Sequence, residues 1–444
     1  MREMVAGLRA GRFTSENLTR DLLARTAALE PTIQAWAWLD PEAALAKART
    51  VDRAHASGAT HGVLHGVPIG VKDIIHARGI PTGMGSPVFA DLVPPQSATV
   101  VTRLEAAGAF VLGKTVTAEL AYFHPGKTRN PWNSAHTPGG SSMGSAAAVA
   151  ARMAPVALGT QTNGSVIRPA AFCGCVGYKP SSGLIPRTGI LEFSPTLDQV
   201  GVFARAVEDA ALAASVLIGH DSRDAGSIEA AAEFVEGLLY LAPPSRPPRL
   251  AAVRSPVWHL AEEAQRAQFE QDVRALRQAG AQVAEIELGP AFEQAHAMQR
   301  RIMYAEGARV LGPLQDKQRA QLSAALNRLI DEGRQIGETE YKEAMTCRTG
   351  LQQELQRFLA PYDALITPPA RGEAPATLEH TGDPAFCTIW TLCGVPALTI
   401  PTGFGPHHLP LGLQVVGRML DDARMLEVAR WCTQAIGFDI GLPD

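Results

Sequence analysis

Basic residues are not in excess in this chain: 40 Lys and Arg stand against 44 Asp and Glu, a formal charge of −4. Without a surplus of cations to displace counterions, a general nucleic-acid or membrane-surface binder is excluded as the first reading. No run of about 18 apolar residues occurs, so no segment is expected to span a bilayer. The opening residues, MREMVAGLRAGRF, lack the apolar stretch that a secretion signal requires. Cysteine is scarce, six in 444 residues, which makes a reduced, cytoplasmic protein the default over a disulfide scaffold. His61 and His65, His407 and His408, and the close pair Cys173 and Cys175 lack a second ligand pair at zinc spacing, so no metal is expected. No internal repeat and no low-complexity segment is visible.

What is present suits a large globular enzyme. Hydrophobic residues make up 46% and charged residues 19%, and a prior of about 150 residues per domain allows about three domains. The 41 glycines and 32 prolines stay below the ~25–30% that marks disorder and imply many tight turns instead.

Residues 1–60 read as a helical segment packed on the core. Within it Asp40 is a candidate N-cap, Pro41 the first helical residue and Glu42 a first-turn acid, with Gly58 as the stop. From residue 61 short apolar segments alternate with helical ones. VPIGVKDII, AFVLGKT, PVALGT, RLAAV, QVAEIEL, DALITP, PALTIP and LGLQVVG read as strands; ATVVTRLEAAG and SSMGSAAAVAARM read as helices. This alternation predicts an α/β protein whose sheet is covered on both faces. Residues 220–360, richer in charge and helix and carrying the proline-rich loop LAPPSRPPR, read as a more variable cap on the core of 61–444.

Two motifs fit a pattern in letters only. GAFVLGKT (108–115) matches the phosphate-binding loop, but its middle residues form an apolar strand and a helix precedes it, so its N–H groups are committed to a sheet. Gly140 to Gly144 fits the G-x-S-x-G nucleophile elbow around Ser142, yet a loop stands where that motif needs a strand.

Three segments carry the chemistry: GVPIGVKDII (66–75), TPGGSSMGSAAAVA (137–150) and LGTQTNGSVIRPAAFCG (158–174). Together with LGKTVTAELAY, RNPWNSAHTPGGSS, VGYKPSSGLIP, TLDQVGVFARAVEDAA, CGVPALTIPTGF and LPLGLQVVGR, they resemble the amidase signature family over most of the chain, least between 220 and 360. The resemblance implies a large mixed β-sheet core covered by helices on both faces, no cofactor, and a Ser–cis-Ser–Lys triad. Carried over, Ser165 is the nucleophile, Ser141 the bridging serine and Lys72 the base. A serine hydroxyl needs a base to attack an amide. Lysine serves only when neutral, and the apolar setting of VPIGVKDII disfavours its ammonium form. Ser141 can donate and accept at once and so relay the proton. The turn Thr162, Asn163, Gly164, Ser165 is the implied oxyanion hole, its successive N–H groups facing one hollow at a helix start. Ser142 and Ser145 are expected to be structural.

This chain departs from the family in places. Gln161 stands where an aspartate is common, and Ile167 where an arginine is usual, with Arg168 one place later. An acid–arginine pair is therefore not expected here. Asn163 replaces a turn glycine and suits a left-handed backbone, and Met143 replaces another glycine.

The resulting expectation is a hydrolase of small-molecule carboxylic amides, with esters and carbamates admitted by the resemblance. The rival within the family is an amidotransferase A-type subunit that releases ammonia from glutamine for a partner protein, against which the Gln161 and Ile167 departures and the absence of a basic excess weigh. A dead-site scaffold is the rival from another class, and the intact triad weighs against it. Tyr122, Phe123 and Trp390 are the pocket candidates, favouring an apolar or aromatic acyl group. A homodimer is the default assembly.

Overall fold

Alternating side chains sort onto two sides of one sheet. In a strand, successive residues point to opposite faces, and here Leu158, Val200 and Val202 join one large apolar cluster while their neighbours Ala157 and Phe203 join another. The strands are β1 (Trp36–Leu39), β2 (Pro68–Lys72), β3 (Phe110–Thr115), β4 (Ala157–Gln161), β5 (Val176–Lys179), β6 (Gln199–Ala204), β7 (Arg249–Arg254), β8 (Gln282–Glu287), β9 (Ala364–Thr367), β10 (Ala397–Phe404) and β11 (Pro410–Val416). They form a single 11-stranded sheet in the order β1-β3-β2-β4-β6-β5-β10-β11-β9-β7-β8. Parallel pairing joins β3, β2 and β4 at one end and β9, β7 and β8 at the other; the strands between pair antiparallel. This computed structural model describes residues 1–58, 62–242, 244 and 246–443. The expected boundary at 60/61, His61 and part of the loop LAPPSRPPR lie outside the described residues.

The α/β class with a mixed sheet flanked by helices is what the structure contains. Several boundaries differ from expectation. The segment 1–60 is not only helical: Trp36–Leu39 adds β1 to the sheet beside β3. The region 220–360 is not simply a cap, since β7 and β8 extend the sheet at its far end; its helices Ala295–Gln318, Ala324–Arg334 and Glu338–Leu359 pack on one another. Strand β2 stops at Lys72 rather than running to Ile75, which makes only an isolated bridge with Ile190. The strands β1, β5 and β6 are not among those the sequence predicts. Asp40 does cap the helix Pro41–Ala56, accepting from Ala43 N at 3.0 Å.

Small residues position the site. The helix Met143–Ala150 is buried along its whole length. A Cβ on Gly144 would meet the Ala35 carbonyl oxygen at 2.1 Å, so only glycine lets this helix lie so close to the sheet. Ser145 adds a polar tie, bonding Leu158 O at 2.8 Å and Thr115 Oγ1 at 2.7 Å.

Candidate active site

Three chain segments converge at the ends of β2 and β4. Lys72 is the last residue of β2 and has no exposed surface. Its Nζ donates to Ser141 Oγ at 2.7 Å and to Thr160 Oγ1 at 2.8 Å. Burial pulls its pKa from 10.5 down to about 7, and the charge of Asp198 opposes that shift only in part. Ser141 follows a cis peptide bond from Gly140 and holds its carbonyl to Ala118 N at 3.0 Å. Ser141 and Ser165 line one cavity, together with Tyr122, Phe123, Thr162, Asn163, Gly164, Arg168 and Thr381. Among the described residues, no group hydrogen-bonds the Ser165 hydroxyl.

The turn 162–165 is shaped by its neighbours rather than by its own backbone preferences. Asn163 does not adopt a left-handed φ, contrary to expectation. Instead its side chain accepts from Thr388 Oγ1 at 2.8 Å, and its carbonyl accepts from Thr391 Oγ1 at 2.5 Å. Gln161 does the work that an acid would do at this place: Oε1 accepts from the N–H groups of Val166 at 2.8 Å and Ile167 at 3.0 Å, while Nε2 donates to Thr391. That leaves the N–H groups of Thr162, Asn163, Gly164 and Ser165 without an acceptor among the described residues. Gly164 has room for no side chain, since a Cβ there would lie 2.9 Å from Pro384.

Behind the turn, Thr162 Oγ1 donates to Asp198 Oδ1 at 2.6 Å, and Asp198 Oδ2 accepts the N–H groups of Phe193 and Ser194. Burial raises the Asp198 pKa to about 6, although these hydrogen bonds and Arg187 pull it down. Asp198 thus links the turn electrostatically to Lys72.

The other expected residues separate. Tyr122 and Phe123 line the cavity, Tyr122 stacking on Phe193 with ring centroids 5.6 Å apart. Trp390 does not: it is buried in the main core on the helix Ala385–Cys393, which corrects its placement at the pocket. Ser142 bonds both the N–H and the carbonyl of Thr160 at 3.2 Å, a tie to β4 rather than within its own turn. Lys114 of the phosphate-loop look-alike sits in β3 and pairs with Asp73 at 3.1 Å. His65 packs its ring 5.2 Å from that of His55. Sequence reasoning missed Thr160, Asp198 and Thr381. Of these, Thr160 lies inside the quoted segment LGTQTNGSVIRPAAFCG and Asp198 inside TLDQVGVFARAVEDAA, while Thr381 had no signal.

Comparisons with known proteins point one way at the level of family. A family described as Amidase matches residues 17–426. The A-type subunit of a Glutamyl-tRNA(Gln) amidotransferase from Acidothermus cellulolyticus is 36% identical, with 96% of this chain and 92% of that one covered. The native peptide amidase from Stenotrophomonas maltophilia is 30% identical, with a TM-score of 0.86 over 100% of this chain and 98% of that one. A structure described as a vestigial protein complex that reveals the origins of an s-triazine catabolic enzyme is 26% identical, with a TM-score of 0.91, covering 100% of this chain and 99% of that one.

Proposed function

The chain belongs to the amidase family, and on that premise we propose that it hydrolyses carboxylic amides through an acyl-enzyme on Ser165. The observation that carries this reading is a lysine whose pKa falls to about 7, bonded at 2.7 Å to Ser141 in the cavity that also holds Ser165. Neutral Lys72 takes a proton from Ser141, which takes one from Ser165 as its Oγ bonds to the substrate carbonyl carbon. The carbonyl oxygen becomes an oxyanion over the free N–H groups of residues 162–165, donors typically worth about 2.7–4 kcal/mol each. Collapse of the intermediate breaks the C–N bond, and the proton held by the lysine–serine pair leaves with the amine. Water then attacks the acyl-enzyme, with the same pair as base, and frees the acid. Esters and carbamates present the same carbonyl to the same groups.

The comparisons favour a second reading over this one: the curated relatives with 32–36% identity are named as A-type subunits of Glutamyl-tRNA(Gln) amidotransferase. In that reading the same Ser165 chemistry releases ammonia from glutamine for a partner protein. Assays of the purified chain on glutamine, aliphatic amides, anilides, esters and carbamates, beside Ser165→Ala and with candidate partner proteins added, separate the two. Turnover of several amides by the chain alone supports the first reading. Activity confined to glutamine, or arising only with a partner, supports the second. Turnover that survives Ser165→Ala removes both.

A further inference from the structure

The helix Met143–Ala150 closes on an arginine. Arg152 N donates to Val149 O at 3.1 Å and Met153 N to Ala148 O at 2.8 Å, so Arg152 turns the chain out of the helix, with φ at 57°. Glycine takes this left-handed conformation freely, whereas any other residue takes it against its own Cβ. The helices Ile167–Cys173, Ala385–Cys393 and Asp422–Ile436 close on glycine in that conformation, at Gly174, Gly394 and Gly437. An arginine at such a place calls for a reason beyond the turn itself.

No partner within the chain supplies that reason. Arg152 lines a cavity of about 150 Å³ together with Arg205, Trp132, Gly174 and Asp439. Among the described residues neither arginine side chain makes an ion pair or a hydrogen bond, although Arg300, Arg309, Arg319 and Arg334 elsewhere each hold an acid. Asp439, the acid in the lining, accepts from Gly441 N at 3.0 Å. Asp209 reaches Arg205 only at a distance, and its carboxylate is taken by the Met1 amino group and by Arg2 N. Partial burial, and then the charge of Arg152, hold the Arg205 pKa below its ordinary value, as two like charges do when no anion lies between them. The dipole at a helix end favours a cation, yet the Ala151 carbonyl is served by a third guanidinium, Arg25 Nε at 3.1 Å. Arg25 Nη2 is buried there without a hydrogen-bond partner among the described residues. Arginines gathered in this way suit a group with two negative charges and several acceptor oxygens. Trp132 has its indole N–H committed to Cys173 O at 2.8 Å and so offers the cavity only ring surface, which suits a small organic group beside the anion.

We propose that this cavity is a phosphate-binding site, taking free phosphate or the phosphate of a small monoester between Arg152 and Arg205. It lies apart from the reaction centre. The helices Met143–Ala150 and Ile167–Cys173 begin beside Ser141 and Ser165 and end at this cavity, so about 10–12 Å of helix separates the two sites. The site does not depend on which bond Ser165 cleaves.

Calorimetry with inorganic phosphate, glycerol phosphate and adenosine monophosphate tests it, with chloride holding the ionic strength fixed so that screening is constant. Saturable one-to-one binding of at least one of them by the wild-type chain is expected, and the tightest of the three tells whether the group arrives free, on a short alcohol or on a nucleoside. Arg152→Gly should weaken that binding ~10-fold or more. Its melting temperature in phosphate-free buffer should hold or rise, because glycine suits the turn. Arg205→Met should weaken binding likewise, and the tightest ligand should raise the melting temperature of wild type but of neither variant. Failure of all three to bind wild type, or binding by either variant as tight as by wild type, overturns the proposal.

Discussion

An ammonium ion stripped of water is a poor ammonium, and that fact governs Lys72. Between about pH 7 and its ordinary 10.5 the buried side chain is neutral where an exposed one is charged. If the neutral form accepts the proton of Ser165 through Ser141, kcat/KM climbs with pH through about 7 and levels on the alkaline side. Lys72→Ala should cost ~10³-fold or more in kcat and erase that limb. A pH–rate profile of the variant with the same limb would take Lys72 out of the role. Gln161 shows a different lesson at this scale. As a neutral amide it accepts two backbone N–H groups and donates to Thr391, so the turn is braced without an acid.

Among the elements, the contact of the helix Met143–Ala150 with β4 decides the geometry. Ser142 reaches the backbone of Thr160 because Gly159, one residue earlier on β4, presents no side chain: a Cβ there would meet Ser142 Oγ and Phe203 Cε2, each at 2.6 Å. Gly159→Ala should therefore force helix and strand apart, destabilise the fold by about 1–3 kcal/mol and lower activity along with it. Urea unfolding midpoints at constant slope read the first effect. An unchanged midpoint would show that the contact is slack. The short β1 strand belongs to the same argument, since Ala35, the residue before it, accepts from Val116 N at 2.9 Å and sets how near the helix can approach.

Over the whole molecule, the site is held by ties between distant parts of the chain. Asp422 opens the helix Asp422–Ile436 and is fully buried, accepting from the Tyr178 hydroxyl at 2.7 Å and from Ser181 N at 2.8 Å and Oγ at 2.5 Å. It joins the C-terminal helix to β5 and the loop after it. Asp422→Ala orphans three buried donors, and each unsatisfied group costs about 1–3 kcal/mol. The expected outcome is a large fall in the denaturation midpoint, whereas a midpoint within error of wild type would show that water replaces the carboxylate. The edges of the sheet are guarded in a familiar physical way. Strand β1 has only four residues, and β8 carries Gln282, Glu285 and Glu287 along its length, a pattern that discourages pairing with another chain.

How much of this was legible in the sequence follows from range. Capping by Asp40, the strands rich in β-branched residues, and the glycine-serine segments are local patterns, and a helix cap or a strand period acts over a few residues. The order of motifs was enough to nominate Lys72, Ser141 and Ser165. Other features could not be read this way. That β7 and β8 complete the same sheet depends on pairing across more than a hundred residues, and that Trp390 is core while Tyr122 and Phe123 face the cavity depends on which side of a helix or loop is covered. The bracing by Gln161 belongs to this second kind, because the partners a side chain finds are defined only by everything packed around it. Sequence determined the residue types and local shapes from which a site could be built; tertiary structure alone decided which groups lost their water, which found partners and which were left open, because desolvation and pairing are properties of the packed neighbourhood.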